Sequence, residues 1–126
     1  MNNTVLFEGN SVQIEWDKSS TIIEYIKESS FLEGEANNIK GEVFFYQYVL
    51  DIPFDNTERE VFEKGDVVYW RSTKSKNKFG ILFMYGNTEY GDGTKPRTSS
   101  PGIKIGTIKD IHTISKIKTG SKIRME

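Results

Sequence analysis

Aromatic side chains are the residues of this sequence whose types and spacing suggest a chemistry. They recur between residues 44 and 90 as Phe44, Tyr46, Tyr48, Tyr69, Trp70, Phe79, Phe83, Tyr85 and Tyr90. In a small domain most such residues belong to the core. Those on the opposite face, if rimmed by polar loops, would form a groove of the kind that binds a small molecule or a peptide.

Other clusters favour no catalytic or metal chemistry. The chain has one histidine, His112, and no cysteine, so the several nitrogen or sulfur ligands of a zinc site are lacking. His112 falls in a predicted helix beside Ile111 and Ile114, which favours a surface or partly buried histidine over the base of a nucleophilic triad. Four carboxylates, Glu58, Glu60, Glu63 and Asp66, could do acid–base work, but a solvated polar segment is the favoured interpretation. We therefore predict no metal and no cofactor.

The cluster of Arg71, Lys74, Lys76 and Lys78 could contact phosphates, but no aromatic residue is interleaved within it for base stacking. Overall charge is balanced, with 17 basic and 18 acidic residues. We predict no nucleic-acid partner.

No apolar run approaches the length of a membrane span, and the first residues lack a signal-peptide pattern. These features predict a cytoplasmic protein without a membrane partner. The length fits one domain, residues 1–126. The sequence leaves the oligomeric state open.

The elements that must position the aromatic residues are mostly strands. A hairpin is predicted at residues 4–7 and 12–16 around Gly9-Asn10, because the apolar residues of the second segment alternate with polar ones. Further strands are predicted at residues 42–50, 67–71, 79–85, 103–108 and 122–125.

Two helices are predicted, one that begins with a Thr21–Glu24 capping box or with Ser19 or Ser20 as its cap, and one capped by Asp110. Residues 55–65 are predicted to form a short helix or a turn. The segment between residues 85 and 103 is rich in Gly, Pro and Ser and is predicted to form a long loop. Long loops in compact domains are often functional. Six or more strands with two peripheral helices predict a mainly β fold, a closed antiparallel β-barrel.

The order of these elements resembles the cyclophilins, and more closely a family of short stand-alone cyclophilin-like proteins of bacteria and archaea with no established function. The resemblance rests on residues 65–70 (GDVVYW), the strand 79–85, and the loop ending PGIKIGTI, and it extends from residue 42 to the end. It implies a cyclophilin-like barrel. It also implies that Tyr90 lies near the edge of a pocket, that Phe83 lies at its floor, and that the long loop forms one rim.

The sequence departs from the cyclophilins at a residue that matters for catalysis. Their Phe-x-Arg signature would fall on the strand VFFYQYV, which contains no arginine. In cyclophilins that arginine is thought to weaken the imide double bond of proline, and Arg71 or Arg97 could substitute for it here from a neighbouring strand or loop.

We therefore predict a non-catalytic binding module whose aromatic groove takes a small molecule or an extended peptide. Peptidyl-prolyl cis–trans isomerase is the alternative prediction. The predicted site residues are Tyr69, Trp70, Phe83, Tyr85, Tyr90 and Arg97. In this prediction the aromatic residues supply apolar contact and Arg97 orients an acidic or carbonyl group.

Overall fold

The computed structural model describes residues 1–48 and 50–126, and within them antiparallel strands make up most of the regular structure. In chain order the strands are β1 (Thr4–Phe7), β2 (Asn10–Trp16), β3 (Leu32–Glu35), β4 (Asn37–Ile39), β5 (Glu42–Gln47), β6 (Arg59–Val61), β7 (Asp66–Arg71), β8 (Phe79–Met84), β9 (Arg97–Ile108) and β10 (Lys122–Met125). The helices are α1 (Ile23–Lys27) and α2 (Ile111–Ser115). The predicted mainly β class with two short helices is confirmed.

One sheet contains these strands in the order β3-β10-β1-β2-β9-β7-β8-β5-β4, and β6 pairs with β9 beside this path. Its two end strands, β3 and β4, are consecutive in the chain, with Ala36 between them. At the other end of β3, the side-chain amide of Gln47 on β5 donates to the carbonyl oxygen of Glu33 at 2.7 Å. No backbone ladder joins β3 to β5 in the described part of the chain, so the predicted closed barrel is not confirmed.

Several element boundaries differ from the predicted ones. The strand predicted at 42–50 ends at Gln47, and Val49 lies outside the described residues. The segment 55–65 contains a strand, β6, because Arg59 and Val61 pair with the start of β9. The ladder with β6 also extends β9 back to Arg97, which shortens the predicted loop. Pro101 is tolerated inside β9 near an irregularity in that ladder.

The two helices begin differently. Asp110 caps α2 as predicted, because its carboxylate accepts a hydrogen bond from the backbone N–H of Thr113 at 3.1 Å. The predicted Thr21–Glu24 capping box is wrong. The residue before α1 is Ile22, which makes no side-chain cap, and the Thr21 hydroxyl donates to the carboxylate of Asp55 instead. Neither helix, nor any other in the described residues, is long and apolar enough to cross a membrane.

The central strands bury apolar side chains on both of their faces. The inner face of β5, β7 and β8 contributes Phe45, Tyr69, Ile81 and Phe83 to the main core, which also contains Ile26 of α1 and Ile114 of α2. The outer face carries a second, smaller cluster of buried residues: Phe62, Val68, Leu82 and Met84. Phe44 and Trp70 pack against this second cluster and remain half-exposed.

Candidate functional site

A groove of about 410 Å³ lies on the outer face of the sheet. Its floor is formed by Phe44 and Tyr46 of β5, Trp70 of β7 and Leu82 of β8. The Phe44 and Tyr46 rings meet edge to face with centroids 5.5 Å apart, and the Tyr46 and Trp70 centroids are 6.4 Å apart. The volume is in the range of small-molecule sites, and the lining combines aromatic and polar groups as such sites do.

Gly80 explains why the sheet surface is concave between Tyr46 and Trp70. Gly80 on β8 is the ladder partner of Tyr46 on one side and of Trp70 on the other. Because Gly80 has no side chain, the space between the rings of Tyr46 and Trp70 is not filled by the strand that separates them. A Cβ added at this position would lie 2.9 Å from the carbonyl oxygen of Phe45, which leaves little room for any other residue.

One end of the groove is cationic and rich in hydroxyl groups. Ser72, Lys74, Ser75 and Lys78, from the β7–β8 connection, line it together with Ser100 of β9, whose hydroxyl lies 3.2 Å from that of Thr73. The Lys78 ammonium lies 4.7 Å from the centroid of the Tyr46 ring, over its face. Among the described residues neither Lys74 nor Lys78 forms an ion pair.

The other end carries a buried acid, Glu42, beside Ile39 and Tyr90. Glu42 is only 6% exposed, and its Oε2 has no hydrogen-bond partner among the described residues. Burial raises the pKa of Glu42 to about 7, and the negative charge of Glu89 contributes to the same shift. Burial also raises the pKa of Tyr90, followed by the effect of Glu89.

The turn before β5 holds Glu42 in this place. Gly41 joins β4 to β5 with φ +85°, and its carbonyl oxygen accepts hydrogen bonds from the backbone N–H groups of Tyr85 and Gly86 at 2.9 and 3.0 Å. A side chain at Gly41 would overlap the backbone of Asn87. The turn therefore requires glycine both for its left-handed conformation and for this close approach.

Two of the six predicted site residues, Trp70 and Tyr90, line the groove. Tyr69 and Phe83 lie on the inner face and are fully buried in the main core. The Tyr69 hydroxyl donates to the carbonyl oxygen of Leu50 at 2.7 Å, and Phe83 stacks on Phe45. Tyr85 is half-buried against the same core, and its hydroxyl donates to Asn38 Oδ1 at 2.6 Å.

The two arginines singled out from the sequence lie outside the groove lining. Arg71 donates to the carboxylate of Asp51 and to the carbonyl oxygen of Ile52, and its guanidinium lies 4.8 Å from the Phe79 ring centroid. Arg97 pairs with Glu60 at 3.4 Å. The groove thus holds lysines where an arginine was predicted.

Sequence reasoning missed Glu42, the two groove lysines as site residues, and the floor residue Leu82. The alternation of β5 contained a usable signal for part of this. In EVFFYQ, Glu42, Phe44 and Tyr46 share one face, so the acid and the two rings must lie in one row. Among the described residues no group of three or more histidines, cysteines and acids is placed to hold a metal ion.

Comparison with known proteins places the whole chain in one fold family. A family model described as Cyclophilin-like matches residues 1–126. Among solved structures, the chain is similar to the solution structure of a hypothetical protein from Archaeoglobus fulgidus, with a TM-score of 0.72 and 23% identity over 98% of this chain and 91% of that one. At this identity the likeness shows the fold alone. No curated protein sequence matches this one.

Proposed function

We propose that this protein, which belongs to the cyclophilin-like family, is a binding module that takes a small molecule or an extended peptide in its outer groove. The observation that supports the proposal is the groove itself, where three aromatic rings and Leu82 form a concave apolar floor between polar ends. Half-exposed aromatic side chains around a concavity are a common feature of ligand sites. A cytoplasmic location remains a prediction from the sequence.

The groove lining favours binding over prolyl isomerisation. An electrostatic device for weakening the imide bond must be preorganised beside the bound proline. Arg71 and Arg97 are each engaged elsewhere, and no arginine is among the groove residues. We therefore expect no acceleration of cis–trans exchange in an X-Pro peptide. Acceleration that disappears in Arg71→Ala or Arg97→Ala would restore the isomerase as the better proposal.

Tryptophan fluorescence can test binding at the groove directly. The chain has two tryptophans, and Trp16→Phe leaves Trp70 as the only one. We would titrate this variant with a library of aromatic acids, aromatic amines and short extended peptides, and follow the emission of Trp70. Compounds that bind in the groove are expected to change the emission, because they exclude water from the Trp70 ring.

Matched variants show whether such a response comes from the groove. Tyr46→Ala removes a ring from the floor, and Tyr25→Ala removes a ring that is 59% exposed and lies outside it. We expect Tyr46→Ala to weaken binding about tenfold or more, and Tyr25→Ala to leave it unchanged. The proposal fails if no compound changes the emission, or if the two variants bind equally well.

A further inference from the structure

Two buried acids in this protein, Asp66 and Glu42, differ in whether their carboxylates have partners. Asp66 is 2% exposed, and Lys104 and Arg59 lie 3.4 and 3.8 Å from its carboxylate oxygens. Its Oδ2 also accepts a hydrogen bond from the backbone N–H of Glu63 at 2.9 Å. Glu42 is 6% exposed, forms no ion pair among the described residues, and leaves Oε2 without a partner. A buried acid without a partner is unfavourable, so its retention needs an explanation.

The surroundings of Glu42 favour a cationic partner. The charged and titratable groups facing it are Glu89 and the hydroxyl of Tyr90, which add negative potential and an aromatic face. No cation lines this end of the groove, because Lys74 and Lys78 belong to the opposite end, where Lys78 sits over Tyr46. An ammonium group placed here would be held by an ionised carboxylate and by the ring of Tyr90.

The two ends are far enough apart to hold two different groups of one ligand. Glu42 and Tyr46 are four residues apart on β5, which corresponds to about 13 Å at the usual rise per residue. Between them lie the ring of Phe44 and its ladder partner Leu82, and Gly80 and Trp70 lie in the same row as Tyr46. A ligand that fits this pattern has an apolar, preferably aromatic, body with charges of opposite sign at its two ends.

We propose that the groove binds such a zwitterionic ligand, with a protonated amine on Glu42 and an anionic group on Lys74 and Lys78. This inference rests on the proposed binding function and specifies its ligand class. Glu42 supplies the charge that the ligand amine needs, and the amine supplies the partner that Glu42 lacks within the chain. The ammonium groups of the two lysines donate hydrogen bonds to a carboxylate or a phosphate of the ligand.

Three probes built on one body test the proposal. The first carries an aminomethyl group at one end of a biphenyl and a carboxylate at the other. The second replaces the aminomethyl group by methyl, and the third replaces the carboxylate by its methyl ester. Affinities are measured from the emission of Trp70 in the Trp16→Phe variant, and amide chemical shifts report where each probe binds. We expect the first probe to bind about tenfold or more tightly than either of the other two.

Variants and pH assign each charge to its end of the groove. In Glu42→Gln the advantage of the amine over the methyl probe is expected to disappear, while the affinity for the methyl probe stays the same. Lys74→Ala with Lys78→Ala is expected to remove the advantage of the carboxylate over the ester, and Lys76→Ala, in the same connection but outside the groove lining, is the control. In the protein that retains Glu42, the ratio of the affinity for the amine probe to that for the methyl probe is expected to rise about tenfold from pH 6 to pH 8, because Glu42 ionises in this range.

The outcomes separate this inference from the proposal on which it rests. If the methyl probe binds at Trp70 but the amine adds nothing at any pH, the zwitterion inference is overturned and the binding groove stands. If the amine advantage persists undiminished in Glu42→Gln, the assignment to Glu42 is wrong. If none of the probes changes the amide chemical shifts around Trp70, the zwitterion inference is overturned. The titration with the broader library then tests separately whether the groove binds any ligand.

Discussion

The inner and outer faces of β5, β7 and β8 both carry aromatic residues, but they differ in how far those rings are exposed. Neighbouring residues alternate between them, so Phe45 and Tyr69 face the core while Phe44 and Trp70 face the groove. The inner rings are fully buried, and the outer rings remain half-exposed. Composition thus gives the number of aromatic residues in a strand. Which of them can contact a ligand depends on the face to which each side chain points, because successive side chains of a strand alternate between the two faces.

The polar groups on the two faces show the same contrast. On the inner face, the Tyr69 hydroxyl accepts a hydrogen bond from the backbone N–H of Ile52 at 2.9 Å and donates one to Leu50. On the outer face, the Glu42 Oε2 has no such partner. The Tyr69 hydroxyl is therefore satisfied within the core, whereas Glu42 leaves one carboxylate oxygen open at the groove. That difference is what a binding surface requires and a packing surface avoids.

The largest expected effect comes from truncating a ring on each face. Phe83→Ala is expected to lower the free energy of unfolding by about 3–5 kcal/mol, because it opens a cavity in a fully buried core. Phe44→Ala removes a ring of the same size from the half-exposed outer face, so we expect a loss of about 1 kcal/mol. Urea unfolding of the two variants measures both values. Equal losses would show that the outer face is also a packing surface.

The next effect is the pH dependence of Glu42→Gln. The folded protein holds the Glu42 proton up to a pKa of about 7, whereas the unfolded chain releases it near the ordinary glutamate pKa of 4.5. The folded state therefore binds more protons between these values, and its stability falls as pH rises through this window and levels off above it. Glu42→Gln removes the penalty. We expect it to be about 3 kcal/mol more stable than the parent at pH 8 and nearly equal to it at pH 4.

Unfolding curves at several pH values for both proteins check this expectation. The matched control is Glu15→Gln, which removes an exposed carboxylate from β2 on another part of the sheet. Its difference from the parent is expected to stay within about 0.5 kcal/mol at each pH. A Glu42→Gln difference that is constant with pH would mean that Glu42 is not desolvated in the folded protein, and would weaken the case for an open partner site.

Periodicity and turn chemistry predicted most of the fold. The alternation of residues 12–16 located β2, the strand predicted at 67–71 corresponds to β7, and Asp110 marked the start of α2. The short strands β3, β4 and β6 were missed, because each has only three or four residues and little apolar alternation. Their pairing depends on partners distant in the sequence, β10, β5 and β9, and local patterns contain no information about those partners.

The candidate site was predicted less completely than the fold. Trp70 and Tyr90 line the groove, but Tyr69 is adjacent to Trp70 in the sequence and points to the opposite face. Glu42 was missed because a single acid at the start of a strand looks like an exposed residue. Only the three-dimensional arrangement, with Ile39 and Tyr90 around it, shows that it is buried.

Arg97 gives the smallest expected effect and the sharpest contrast between the sequence prediction and the geometry. The pair that Arg97 forms with Glu60 joins side chains that are 47% and 44% exposed, so Arg97→Ala should lower the free energy of unfolding by less than about 1 kcal/mol. If Arg97 oriented the acidic group of a ligand, as predicted from the sequence, the same variant would weaken binding of the aminomethyl-biphenyl carboxylate as strongly as Lys78→Ala does. The groove lining includes Lys78 and not Arg97, so we expect an unchanged affinity in Arg97→Ala. An equal loss in both variants would extend the cationic end of the groove toward β6, and the open face of the sheet would then include Arg97.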